Sequence, residues 1–246
     1  MTGSVTAAIL VIGDEILSGR TKDANIGHIA ERCNEVGIDV REVRIVADEQ
    51  AAIVAAVNVL RHRYTHVFTT GGIGPTHDDI TADAIAAAFD VGISEDPRAV
   101  ALLLQRIEVD DLNEARRRMA RIPHGAELVA NPISKAPGFH IGNVVVMAGV
   151  PAIMRAMLDD VLPRLAAGAK TISRATSAGE LAEGTYAGAL ARIAAAHPDV
   201  SIGSYPSFAD GRFRNEIIAR GKNVAEVDEV TRAIADMLDA LRHQPQ

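Results

Sequence analysis

Between an apolar strand and a helix, residues 69–85 read TTGGIGPTHDDITADAI. Gly71, Gly72 and Gly74 permit positive φ and close backbone approach, so consecutive N–H groups there can form a nest for an anion. The helix that the pattern starts near Asp79 adds partial positive charge at the same point. Asp78 and Asp79 within this stretch, and Asp48 at the end of an earlier strand, would repel a phosphate. A divalent cation held through their oxygens reconciles the two, neutralising carboxylates and phosphate together. The stretch is not a P-loop, because no Gly-Lys-Ser/Thr follows, and its glycine spacing is wrong for a dinucleotide fingerprint. Plainer roles exist as well. Asp78 or Asp79 can serve as an N-cap, Asp83 can complement the helix dipole, and three glycines can simply make a turn.

The elements around these residues alternate. AAILVIGDEI is an apolar run ended by Gly13 and acids, as a strand buried on both faces requires. NIGHIAERCNEVG follows as a helix, with Ile26, Ile29, Ala30, Cys33 and Val36 on one stripe and Gly37 as its stop. IDVREVRIVAD is a second strand ending at Asp48, EQAAIVAAVNVLRHR a helix, THVFTT a third strand, and DDITADAIAAAFD a helix. After Pro97 come two helices, PRAVALLLQRIE and DLNEARRRMARI, then short strands AELVA, GFHI and NVVVMAG, and the helix PAIMRAMLDDVLPRL. This rhythm predicts a three-layer α/β domain with a mostly parallel sheet over residues 1–168.

At AAGAK, residues 166–170, the rhythm changes. A β-α-β-β-α order follows, predicting a small α+β module over residues 169–246. In an open α/β sheet ligands sit beyond the carboxyl ends of the strands. Four such ends carry unusual residues: GDEILSGRTKDAN, ADEQ, GGIGPTHDD and AGVP.

Bulk properties narrow the function. The 246 residues are 48% hydrophobic, enough for a core without staples, and the formal net charge is −7. That sign argues against a nucleic-acid or anionic-membrane binder, and an aromatic content of 3% without tryptophan argues against base-stacking platforms. AAILVI is too short to span a membrane and no basic segment precedes it, so neither a membrane segment nor a signal peptide is expected. Cys33, the single cysteine, reads as a core thiol, and a cytoplasmic setting follows. His66, His77, His124 and His140 lack metal-ligand spacing; His77 alone falls in the candidate loop. EARRRMAR reads as a solvated or oligomer-facing basic surface. Ser204, Tyr205 and Pro206 with Arg212 and Arg214 make a polar cluster in the second module, which a hairpin with charged solvent faces explains, and no GXXG loop supports RNA binding there.

TTGGIGPTHDDIT, with GDEILSG upstream and AGVP downstream, resembles the molybdopterin-binding fold of molybdenum-cofactor biosynthesis, of MoaB/Mog type. GRTKDANIGHIAERCNEVGIDVREVRIVAD, the GPTHDD version of the loop and NPISKAPGF are similar to the N-terminal domain of the CinA (competence/damage-inducible) group, and to the related domain fused to some eukaryotic FAD synthases. The resemblance covers residues 7–165. SIGSYPSF and NEIIARGKN resemble the KH-type module that follows in those proteins. It implies that Asp48 and Asp79 act on the phosphate region or its metal. Gly71, Gly72, Gly74 and Thr76 would cradle phosphate, and Gly13, Glu15, Ser18, Gly19 and Asn25 would form the first-loop pocket. Lys135, Pro137, Gly138, Gly149 and Pro151 would make the later walls. Two positions depart from the pattern. Asp78 stands where the adenylyltransferases commonly carry arginine, and Ser134-Lys135 replaces a small pair.

Three functions remain open at this point. The first is binding of a phosphorylated pterin, of molybdopterin type, or of a nucleotide at the Gly-rich loop, with or without adenylylation. The second is a pyrophosphatase dependent on Mg²⁺, Mn²⁺ or Co²⁺ that cleaves a dinucleotide of ADP-ribose or FAD type. The third is a non-catalytic interaction module. The resemblance also implies a homo-oligomer, with a dimer expected. The deamidase domain of full-length CinA proteins is not expected in this chain.

Overall fold

The computed structural model describes residues 4–209 and 212–243. Two compact units divide the chain, residues 1–168 and 169–246.

The first unit is a three-layer α/β domain. Its sheet is built from β1 (Thr6–Ile12), β2 (Asp39–Val46), β3 (His66–Thr70), β6 (Glu127–Val129), β7 (Gly138–Ile141) and β8 (Val144–Met147), in the order β2-β1-β3-β8-β7-β6. The first four strands of that order run parallel, β7 runs antiparallel to β8, and β6, antiparallel to β7, runs with the first four again. The sheet is therefore mostly parallel, as the alternation predicts.

β1 shows why. Ala8, Leu10 and Ile12 point into one core and Ala7, Ile9 and Val11 into the other, so every residue from Ala7 to Ile12 is buried. The first core is closed by Ile53, Val57 and Leu60 of α3 (Gln50–Arg63) and Ala84 and Ile85 of α4 (Thr81–Phe89). The second is closed by Ile29 and Cys33 of α2 (Ile26–Glu35) and Met154, Met157, Leu158 and Val161 of α7 (Pro151–Val161). Each large aliphatic side chain so buried stabilises the unit by about 1.5–3 kcal/mol relative to leaving it exposed.

Between β3 and β8 lies an excursion that the hydrophobic pattern does not reveal. β4 (Ile93–Glu95) and β5 (Arg121–Pro123) form a separate antiparallel pair. α5 (Pro97–Leu103), a 3-10 turn and α6 (Glu114–Arg118) lie between them. The helix read in DLNEARRRMARI is thus only five residues long, because the chain leaves it at Met119 to enter β5. Arg121 is bidentate to Asp83, at 2.6 and 2.9 Å, and ties this pair of strands to α4.

In the second unit the order is β9 (Ile172–Gly179), α8 (Glu183–Ala196), β10 (Ser201–Ala209), β11 (Arg212–Gly221) and α9 (Val224–Arg242). The strands make an antiparallel sheet ordered β10-β11-β9. Tyr186, Ile217, Val227, Val230, Ile234 and Leu238 form its core. Ser204 donates to Glu183 and meets the Tyr186 hydroxyl, and Arg220 lies over the Tyr205 ring. The side chain of Arg212 lies outside the described residues. Among the described residues no helix is long and apolar enough to cross a membrane.

Candidate functional site

Because β1, β2, β3 and β8 are parallel, their carboxyl ends share one edge. The residues that follow them meet around a cavity of about 450 Å³, within the usual range for a small-molecule site. Gly13 and Glu15 come from the first loop and Asp48 from the second. Gly71, Gly72, Gly74, Asp78 and Asp79 come from the third, and Gly149 from the last. Asp48 and Asp79, drawn from different loops, thus line the same hollow.

The Gly-rich loop is locked by contacts that demand glycine. Gly71 has φ 109°, and a Cβ there would sit 2.0 Å from the Ile12 carbonyl oxygen. Gly72 has φ 66°, and a Cβ would sit 2.2 Å from Thr81 Oγ1. The Gly71 N–H donates to the Met147 carbonyl, while Thr81 donates from its hydroxyl to Gly71 O and from its N–H to Gly72 O. The next three amides are different. Among the described residues no acceptor takes the N–H of Gly72, Ile73 or Gly74.

The acids do not cap the helix. α4 begins at Thr81, its N-cap position is Ile80, and no side chain caps it. Asp79 turns back instead: its Oδ2 accepts the Thr76 hydroxyl at 2.5 Å and the Thr76 N–H at 2.8 Å, closing the turn 76–79. The helix expected to start near Asp79 begins two residues later, at Thr81, because Asp79 is engaged in the turn with Thr76. Asp48 Oδ2 accepts the Asp14 N–H at 2.9 Å. Burial chiefly, and then the charges of Asp14, Glu15 and Asp78, push its carboxyl above the ordinary aspartate range, and the Asp14 hydrogen bond opposes this only in part. The second strand itself stops at Val46, two residues before Asp48.

Several positions implied by the resemblance lie elsewhere. Asn25 and Pro151 line a recess of about 70 Å³ that shares Ile12, Glu15, Gly71 and Gly149 with the cavity. Asn25 is a brace there, donating to Thr70 Oγ1 and to the Gly149 carbonyl. Pro137 lines a smaller recess behind the loop. Ser18, Gly19, Thr76, Lys135 and Gly138 line none of these. Ser18 closes the short helix α1 (Asp14–Leu17), and Gly19 makes the turn after it. Thr76 acts through Asp79 rather than on the cavity. Lys135 is left-handed, at φ 66°, in a turn held by Asn131, and that turn presents Ser134 and Ala136 instead. Gly138 is buried at the start of β7, where a Cβ would meet the Val146 carbonyl at 2.3 Å. His77 is exposed and outside the lining, with its Nδ1 3.9 Å from Asp78 Oδ1. His66 is held at the Ala166 carbonyl, and burial lowers its pKa.

Met119, Asn131, Ile153 and Met157, not among the candidates from sequence, also line the cavity, as does Ser134 beside the expected Lys135. Asn131 left a signal: Asn-Pro opens a turn, and its buried carboxamide holds Ile133, Ser134 and Ala136.

Among the described residues no three acids, histidines or cysteines converge as a ready metal site. Two carboxylate oxygens on the cavity lining could still serve as ligands to a hard cation that arrives with its own phosphate ligands. Asp48 keeps Oδ1 and Asp79 keeps Oδ1, and Mg²⁺ is commonly held by one or two carboxylates plus substrate phosphates.

A mostly parallel α/β sheet with a glycine loop and acids at its carboxyl edge defines a class of small-molecule-binding domain. Residues 8–167 match the family described as a probable molybdopterin binding domain, and the chain belongs to that family. Residues 176–245 match the FAD synthase middle domain. A CinA-like protein of Citrifermentans bemidjiense is 40% identical over 166 residues, which are 64% of this chain and 40% of that relative. A protein named probable FAD synthase in Caenorhabditis elegans is 30% identical over 258 residues, 95% of this chain and 50% of that one. The chain thus spans half or less of each of these two curated relatives. The crystal structure of CinA, of unknown function, from Thermoplasma acidophilum superposes with a TM-score of 0.62 at 30% identity, covering 66% of this chain and 99% of that one.

Proposed function

We propose that the first unit binds a phosphorylated pterin or nucleotide, its phosphates against the amides of Gly72, Ile73 and Gly74. The observation that carries this is the set of three consecutive N–H groups without a protein acceptor, on the wall of a cavity also lined by Asp48, Asp78 and Asp79. Buried or half-buried amides need partners, and an anion supplies them. The N-terminus of α4, fastened to the loop through Thr81, adds its positive end.

A second reading is hydrolysis of a phosphoanhydride of ADP-ribose or FAD type. Its support is the carboxylate at position 78 together with the match to an FAD synthase domain. Asp48 and Asp79 would hold a divalent cation, Mg²⁺, Mn²⁺ or Co²⁺. When bound, such an ion polarises a phosphoryl oxygen and lowers the pKa of a water. Asp79 is held in place by Thr76 and Asp48 by Asp14, so each offers its remaining oxygen without rearrangement.

One panel tests both readings. Purified protein is offered pterin phosphates, ADP-ribose and FAD with each metal and K⁺, with and without ATP, and binding and products are measured. Release of AMP from dinucleotides supports the hydrolase, and ATP-dependent adenylylation of the pterin supports a transferase. Failure to bind any phosphorylated compound removes the proposal and leaves a non-catalytic interaction module.

A further inference from the structure

The Gly-rich loop carries no lysine, yet the basic run EARRRMAR lies against it. Three arginines near this loop have carboxylate partners. Arg116 is within 3.9 Å of Asp111, Arg117 within 2.9 Å of Glu95 and Arg121 within 2.6 Å of Asp83. Arg118 differs. Among the described residues no carboxylate lies within ion-pair distance of it. Its Nη2 donates to the Asp79 carbonyl at 3.3 Å, and its buried Nε has no partner.

Arg118 lines a recess of about 20 Å³, room for about one water. Ile73, Gly74, Asp79 and Met119 line both this recess and the main cavity. Those residues are the partition between the guanidinium and the proposed phosphate position. A half-buried guanidinium without a counter-ion is costly unless an anion compensates it. Here the phosphate would lie in the cavity that shares those lining residues with the recess.

We propose that Arg118 is a positioning residue that supplies the positive charge missing from the loop itself, and so selects phosphorylated over neutral ligands. The proposal rests on the phosphate-binding reading above. Arg118 also braces the loop through the Asp79 carbonyl, so charge and scaffold must be separated. The Arg118→Lys variant keeps the charge. The Arg118→Gln variant keeps a donor for that carbonyl and loses the charge.

Titrations of AMP and of adenosine, at fixed Mg²⁺ and salt, give for each protein the ratio of the two affinities. The wild-type protein prefers AMP. Arg118→Gln reduces that preference about tenfold, the scale of one unit charge acting across a partly screened gap, while Arg118→Lys holds it within about threefold. A wild-type protein without preference for AMP overturns the phosphate reading and this inference with it. A wild-type preference that survives in Arg118→Gln, or falls equally in both variants, overturns the charge role of Arg118 alone and leaves the phosphate reading standing.

Discussion

The Asp14 N–H donates to Asp48 Oδ2 at 2.9 Å and joins the loop after β1 to the loop after β2. The bond fixes the orientation of the Asp48 carboxylate and leaves Oδ1 toward Gly72, where a Cβ would lie 3.6 Å from it. The two strand-end loops are thereby held together beside the third.

Asp48 sets a pH dependence. Burial raises its native pKa above that of the unfolded chain, so native protein holds this proton to higher pH. Between the ordinary aspartate value and the raised one, its contribution to stability falls as pH rises. Asp48→Asn, which keeps an acceptor for Asp14, should therefore be more stable than wild type at neutral pH, with the gain vanishing below the ordinary aspartate range. Urea midpoints at several pH values check this; an equal difference at all pH values refutes it.

Asp79→Asn should leave the fold intact, because a carboxamide oxygen can still accept both Thr76 bonds, while abolishing any cation-dependent turnover. Thr76→Val removes the hydroxyl bond, which is exposed and worth roughly 1 kcal/mol. Its expected effect is weaker ligand binding with a small loss of stability, read by titration and thermal melts.

Gly71 and Gly19 separate crowding from backbone conformation. Both have positive φ, but a Cβ at Gly19 meets nothing within 4 Å, whereas one at Gly71 meets a backbone carbonyl at 2.0 Å. Gly19→Ala should cost roughly 1–2 kcal/mol, the price of a left-handed alanine. Gly71→Ala should cost clearly more than that in equilibrium denaturation. Equal losses would mean that the Ile12 contact is easily relieved.

Arg121 and Asp83 are each about one-third exposed, at 31%. Their bidentate pair should show a coupling of about 0.5–1 kcal/mol in a double-mutant cycle with alanine, shrinking with added salt.

Cys33 is fully buried, and burial pushes its thiol up to about 12. Native protein should resist a thiol-specific disulfide reagent at pH 8 and react at one site on unfolding. Rapid reaction of the native form would contradict the packing of α2.

The sequence alone determined the layers, because burial on both faces of AAILVI and the single stripe of NIGHIAERCNEVG are local patterns that only a covered strand and an amphipathic helix satisfy. It likewise marked Gly71, Gly72, Asp48 and Asp79, since glycine before a helix and acids at strand ends are turn chemistry written in adjacent residues. What lay beyond it was direction. Whether Asp79 caps α4 or folds back on Thr76, whether residue 134 or 135 meets the cavity, and where Arg118 ends depend on contacts between segments far apart in the chain. The tertiary structure decided those, because a loop's facing side is fixed by the elements packed around it rather than by its own residues.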